Sequence, residues 1–245
     1  MVARRRPMST DMAITTAMTI TMDSGALYRL MAWLSPSYPV GAFSYSHGIE
    51  WLVESGAIQD RDSLAAWIGD LLTLGSGRND AILFAESWRA AQNPDDLARI
   101  AETASAFCGS AERTLETEMQ GDAFCDVTRR TWASPMLDRL VARYPHPICY
   151  PVAVAVAAAD HGIALAPALR AYLHGFAANL VSAGVRLIPL GHSDGQRVLR
   201  ALEARVEDAA VMGEGGDLSG LSSVTIMADL AAMKHETQYT RLFRS

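Results

Sequence analysis

Among its 245 residues the chain holds a single lysine, Lys234, which follows Met233. No Gly-Lys pair exists, so no phosphate-cradling P-loop can be built and a P-loop NTPase is excluded. Three cysteines, Cys108, Cys125 and Cys149, lie far apart and form no CxxC pair, so neither a disulfide framework nor a zinc knuckle is expected. A reducing cytoplasm suits such a chain. Aromatic residues make up 7% and charged residues 20%, with a formal net charge of -6 and no basic stripe after residue 6. Nucleic acid, whose phosphates call for clustered Lys and Arg, is therefore an unsuitable partner. Long apolar runs are also missing. The window 150–159 is too short to cross a bilayer, and Arg170, His174, Asn179 and Arg186 interrupt 163–190. Both read as buried core helices, with no membrane span.

What is present is helical spacing over a length that can bury one substantial core. Asn93-Pro94 reads as an N-cap and first helical residue, followed by Leu97, Ile100, Ala101, Ala104 and Cys108 on one face. The same periodicity predicts helices over 61–74, 80–91, after Ser134-Pro135, and over 166–187, the last about 30 Å long at 1.5 Å per residue. Ser193 and Gln196 have capping-box spacing ahead of Val198, Leu202, Val206 and Ala209. The alternating run PVAVAVAAAD is Ala-rich and has no pairing partner, which argues against a strand. GEGGDLSG at 213–220 reads as a flexible connector before a last helix near 221–234, and residues 1–24 as a disordered extension. The expected fold is all-α: one domain of about ten helices over 25–233, ending in a tail at 234–245.

Metal and catalytic patterns are sparse. His47 beside Ser44 and Ser46 allows a serine hydrolase to be drawn, although consecutive positions point in different directions. His192 with Asp194, and His235 with Glu236, offer two ligands each, fewer than a metal site needs; capping or surface exposure explains them better. The glutamates of LETEMQGD at 115–122 read as a solvated face, and Met119, Phe124 and Cys125 as a core stripe.

Three segments stand out. WLSPSYPVGAFSYSHGIEW at 33–51 packs Pro36, Pro39 and Gly41 into a tight turn before a helix starting near Phe43 or Ser44, and it either displays Phe43, Tyr45 and Glu50 or simply buries an aromatic. NLVSAGVRLIPLGHSDGQRVL at 179–199 ends a long helix at Gly184 and Arg186, turns at Pro189 and Gly191, and restarts through Ser193 to Gln196. The closing HETQYTRLFRS brings Arg241 and Arg244 together with Tyr239, Leu242 and Phe243, and Lys234 lies just upstream. Such basic and aromatic types are enriched at interfaces, so 234–245 reads as a docking tail, with a helix end folded back on its own domain as the plain alternative.

All three segments resemble the UreF family of urease accessory proteins. Ser35 to Glu50 is similar nearly position by position to the family's S-x-x-x-P-V-G-x-F-x-x-S-x-G-x-E, with Gly48 at its second glycine. Shorter echoes are RND at 78–80 and MQGDAF at 119–124, so the likeness runs from about residue 27 to 245. It implies a homodimeric, cytoplasmic protein without a catalytic centre or cofactor of its own. Such a protein joins the UreD (also called UreH) accessory protein, recruits the GTPase UreG, and serves nickel delivery to apo-urease, the nickel being handled by the complex. A generic helical scaffold and a hydrolase using Ser44 or Ser46 remain as other classes.

Overall fold

The computed structural model describes residues 23–244, which form eleven α-helices, two short 3-10 turns and no strand. Most of the expected N-terminal extension, 1–22, and Ser245 lie outside the described residues. The first helix, α1 (Ser24–Trp33), already begins at Ser24. Next come a 3-10 turn (Ala42–Ser44), α2 (Ile49–Glu54), α3 (Arg61–Leu74), α4 (Ser76–Arg89), α5 (Pro94–Ala106), α6 (Ala111–Thr131) and α7 (Pro135–Arg143). The chain closes with α8 (Tyr150–Asp160), α9 (Leu165–Leu187), α10 (His192–Gly215), a 3-10 turn (Leu218–Gly220) and α11 (Ile226–Glu236).

Local chemistry sets several of these boundaries. Asn93 caps α5 by accepting from the N–H groups of Asp95 and Asp96, with Pro94 in the first turn where a missing N–H costs nothing. Asp60 and Ser63 close a reciprocal capping box that starts α3. The Ala-rich run is α8, buried along Pro151 to Ala158, and such a helix, apolar on all sides, belongs at the centre of a domain. It packs against α4, α6, α7 and α9. The long α9 lies beside it and touches α2, α3, α4 and α10, burying Leu169, Leu173 and Leu180.

Elsewhere tertiary contacts move the boundaries. After the 3-10 turn, His47 and Gly48 take left-handed φ values of 59° and 75°, so the helix expected near Phe43 or Ser44 waits until Ile49. The capping box of Ser193 and Gln196 does not form: α10 starts two residues earlier than that box requires, at His192, with Gly191 in the cap position and no side-chain cap. Ser193 is thereby inside the first turn, and Gln196 is solvent-exposed. The expected connector at 213–220 is helical as far as Gly215. A Cβ on Gly213 would lie 2.7 Å from that of Ala81, so this glycine lets α10 close on α4 instead of ending the helix. Arg89 donates to the Gly216 carbonyl at 3.2 Å, and Arg170 pairs with Glu214; these bonds offset the entropy of the glycines. The last helix accordingly starts later and ends later than expected, at Ile226 and Glu236.

Candidate functional site

The three segments that stand out in the sequence converge at one corner of the molecule. Gly41 (φ 74°) and Gly48 (φ 75°) turn the first of them so that Phe43 points outward, 65% exposed, while Tyr45 and Glu50 turn inward. Glu50 then becomes the anchor of the chain's end. Its carboxylate accepts the main-chain N–H groups of Leu242 (2.6 Å) and Phe243 (2.9 Å) and faces Nε2 of His235 at 3.0 Å. The other ring nitrogen of His235 meets Glu112 at 2.9 Å, and Arg241 reaches the same carboxylate at 3.2 Å. The Arg244 N–H donates to the Ser44 carbonyl, 2.8 Å away. The second segment supplies Arg186, whose guanidinium lies 3.8 Å over the Phe43 ring and 4.3 Å over that of Phe243. Its Nε donates to the Ser182 carbonyl, and burial pulls its pKa downward.

The tail at 234–244 is thus folded against its own domain. His235 is fully buried, contrary to the surface position expected for it, because two carboxylates from α2 and α6 satisfy both of its nitrogens. Tyr45, Glu50 and Phe243 are buried too and do not face solvent as displayed contacts. Exposed at this corner are Phe43, Arg241, Leu242 and Arg244, with Tyr239 fully exposed and Lys234 on the outer side of α11. Pro39, Pro189 and Gly191 shape exposed turns.

Next to the corner lies a buried polar wall. Glu116, expected on a solvated face, is buried and forms a 2.5 Å ion pair with Arg113, and His47 Nδ1 stands 3.6 Å from it. That pairing overcomes the desolvation penalty and holds the Glu116 carboxyl far below the usual range. Burial pushes the His47 pKa down, with the Arg113 charge adding to the shift, while Nε2 of His47 is 2.7 Å from Ser76 Oγ. Asp80 accepts from the Tyr172 hydroxyl at 2.7 Å, and burial raises its pKa to about 6. Asp80, Arg113 and Thr117 line two cavities, one of about 60 Å³ toward α5 and α11, the other of about 240 Å³ beneath Phe43. Met119, on the same helix, is exposed and not part of the core stripe with Phe124 and Cys125.

Sequence reasoning missed this wall because charges on a helix usually face water; the faint signal was the poor apolar stripe of α6, which leaves part of its buried face to Glu112, Glu116, Thr117 and Gln120. Sequence reasoning also passed over Gly191-His192-Ser193-Asp194-Gly195, which spells the Gly-x-Ser-x-Gly of a nucleophile elbow. An elbow joins a strand to a helix, whereas this pentapeptide joins α9 to α10 and leaves Ser193 exposed. The hydrolase drawn on Ser44 or Ser46 is not assembled either: the His47 ring bonds to Ser76, and Ser46 is buried with its Oγ 3.4 Å from the Glu50 N–H. Among the described residues no group of three or more His, Cys, Asp and Glu side chains is arranged to hold a metal. Glu50 and Glu112 sit at opposite edges of the His235 ring, so those three cannot converge on one ion. No described helix is long and apolar enough to cross a membrane.

Comparison with known proteins gives one answer along the chain. The UreF family model matches residues 58–203. The urease accessory protein UreF of Bradyrhizobium diazoefficiens (strain USDA 110) is 50% identical over 97% of this chain and 99% of its own length. That of Rhodopseudomonas palustris (strain TIE-1) is 48% identical over 97% of this chain and 100% of its own.

Proposed function

Because the chain belongs to the UreF family of urease accessory proteins, we propose that it acts as a non-catalytic adaptor in the insertion of nickel into apo-urease. In this reading it binds the UreD-type accessory protein, recruits the GTPase UreG, and regulates GTP-dependent delivery, with nickel as the cargo of the complex. A homodimer in the cytoplasm is the form proposed to do so.

The observation that carries this reading is the convergence at the Glu50 corner. Three segments far apart in sequence spend buried charge, two backbone N–H groups and two stacked rings on fixing the chain's end in place. They leave Phe43, Tyr239, Arg241, Leu242 and Arg244 on the outside, and among these Tyr and Arg are types enriched at the positions that dominate binding energy at protein interfaces. The tail is proposed to dock the UreD-type partner as a preformed surface, which lowers the ordering cost that a free arm has to meet on binding.

The direct test is pull-down of a UreD-type protein by the full-length chain, by Leu242→Ala and by Arg244→Ala, followed by urease activation in a strain lacking its own UreF. Both variants are expected to fold normally and to lose partner and activation together. Wild-type retention of the partner by both variants would overturn the assignment of this surface. A hydrolase makes the opposite demand: ester turnover by the lone chain, abolished by Ser76→Ala, would displace the adaptor reading.

A further inference from the structure

We propose that Arg186 receives a carboxylate of the docked protein partner, an Asp or Glu side chain that completes the ion pair which the lone chain leaves open. The inference rests on the adaptor reading and deepens it by naming the chemistry that the corner recognises. Arg186 lies in the last turn of α9, with its guanidinium carbon 3.8 Å from the centre of the Phe43 ring and 4.3 Å from that of Phe243. A guanidinium carries five N–H donors in its plane, and rings lying over it attract its charge without accepting those hydrogens. Its Nε donates to the Ser182 carbonyl at 3.2 Å, whereas Nη2 is buried with no hydrogen-bond partner. Among the described residues no carboxylate pairs with this group.

The fold treats other guanidinium groups taken out of water differently. Arg170, on the same helix, holds Glu207 at 2.6 Å and Glu214 as well, and Arg113 holds Glu116 at 2.5 Å. The bond to Glu207 pushes the Arg170 pKa up, and at Arg113 burial is outweighed by the Glu116 charge, to the same effect. At Arg186 burial acts alone and pulls the pKa down. A cation stripped of water and given no acceptor is unfavourable in the free chain. The same open donor edge favours a complex in which a carboxylate arrives, because its two oxygens match the guanidinium fork. Arg244, its N–H fixed on the Ser44 carbonyl, is also without a carboxylate among the described residues. Two uncompensated guanidinium groups therefore stand at this corner of a chain whose net charge is -6.

The surroundings point to a side chain on a protein surface and not to a small free anion. Phe43 and Leu242, the latter next to Phe243 in the chain, are each 65% exposed. A small anion leaves these apolar groups in water. A protein surface covers them, and by excluding water it strengthens the ion pair that they surround. The corner beneath also fixes the position of the guanidinium. Glu50 holds the N–H groups of Leu242 and Phe243, so the Phe243 ring on which Arg186 packs is held in place. A cation preorganised in this way meets its carboxylate at a lower ordering cost than a free surface arginine.

The test measures binding of the UreD-type protein to the full-length wild-type chain, to Arg186→Gln and to Arg186→Lys, with a thermal melt of each. Arg186→Gln is expected to melt within a few degrees of wild type and to bind about tenfold more weakly or worse. Wild-type affinity is expected to fall with added salt more steeply than that of the Gln variant. Arg186→Lys keeps the charge and is expected to retain the partner; its complex is treated with a carbodiimide, which joins an amine to a carboxylate in direct contact. Because Lys234 is the only natural lysine, peptide masses assign each adduct to its position. The expected product links position 186 to an Asp or Glu of the partner, and it decides the matter even where Arg186→Gln unfolds. Unchanged affinity in Arg186→Gln, no adduct at position 186, or an adduct there with a second copy of the chain would overturn the inference and leave the adaptor reading standing. Failure of the wild-type chain to retain the UreD-type protein would overturn both.

Discussion

Glu50 and His235 lie 185 positions apart in sequence and meet at 3.0 Å in the interior. The contact ties α2 to α11, and Glu50 spends its remaining acceptor capacity on the two N–H groups of the chain's end. Charged acceptors make hydrogen bonds worth roughly 1.5–3 kcal/mol each, and a buried group left without its partner costs as much again. Glu50→Ala is therefore expected to destabilise the protein by about 3 kcal/mol or more. Its tail should also become sensitive to trypsin at Arg241. Urea melts and timed digestion check this; an unchanged midpoint with an uncut tail would refute the anchoring role.

The two turn glycines separate backbone strain from crowding. A Cβ on Gly41, at φ 74°, meets nothing within 4 Å, whereas one on Gly48 would lie 3.0 Å from the Ala232 nitrogen and 3.1 Å from the Ala231 carbonyl carbon. Gly41→Ala should cost about 1–2 kcal/mol, the left-handed penalty alone. Gly48→Ala should cost clearly more, because α11 must also shift. Equal melting temperatures for the two variants would count against this ordering.

Stability at the polar wall is expected to depend on pH in a direction that Asp80 sets. Its folded pKa, about 6, lies above the usual carboxylate value. The folded state therefore holds the proton more tightly, and this favourable contribution is complete at low pH and lost as pH rises through 6. Asp80→Asn keeps an acceptor for Tyr172 without the charge. Relative to wild type it should gain on the order of 2 kcal/mol between pH 4 and 7. Chemical denaturation at both pH values measures the difference; a constant offset would show that Asp80 does not titrate in this range.

Outer tail residues should affect binding without affecting the fold. Tyr239 is fully exposed and Leu242 mostly so, so truncating either to Ala should shift stability by no more than about 0.5 kcal/mol. Loss of a central interface contact, by contrast, weakens binding about tenfold or more. Thermal melts and partner titration on the same preparations distinguish the two effects.

In solution the lone chain is expected to sediment as a concentration-dependent dimer and to show no saturable GTP binding in calorimetry. The first expectation rests on the exposed apolar side chains of α1 and α11, among them Tyr28, Met31, Ile226 and Met227, for which a two-fold mate is the commonest cover. The second rests on the missing Gly-Lys pair. A strict monomer at micromolar concentration, or nucleotide binding without a GTPase present, would contradict them.

The sequence by itself determined the helical class, the limits of α3 and α9 to within a residue, the starts of α5 and α7, and the three segments that meet at the Glu50 corner. These are local properties: a cap such as Asn93 acts within one turn, apolar spacing acts along one face, and the turns at Pro39, Gly41 and Gly191 depend on their own residues. Tertiary structure decided everything that needed a partner from elsewhere in the chain. It extended α10 through Gly213, because Ala81 of α4 occupies the space a side chain would take. It buried Glu116 beside Arg113 and His235 between Glu50 and Glu112, where periodicity alone places charges in water. The physical reason is common to these cases. Burying an ionisable or conformationally free group is unfavourable unless a specific neighbour compensates it, and only the folded chain supplies that neighbour.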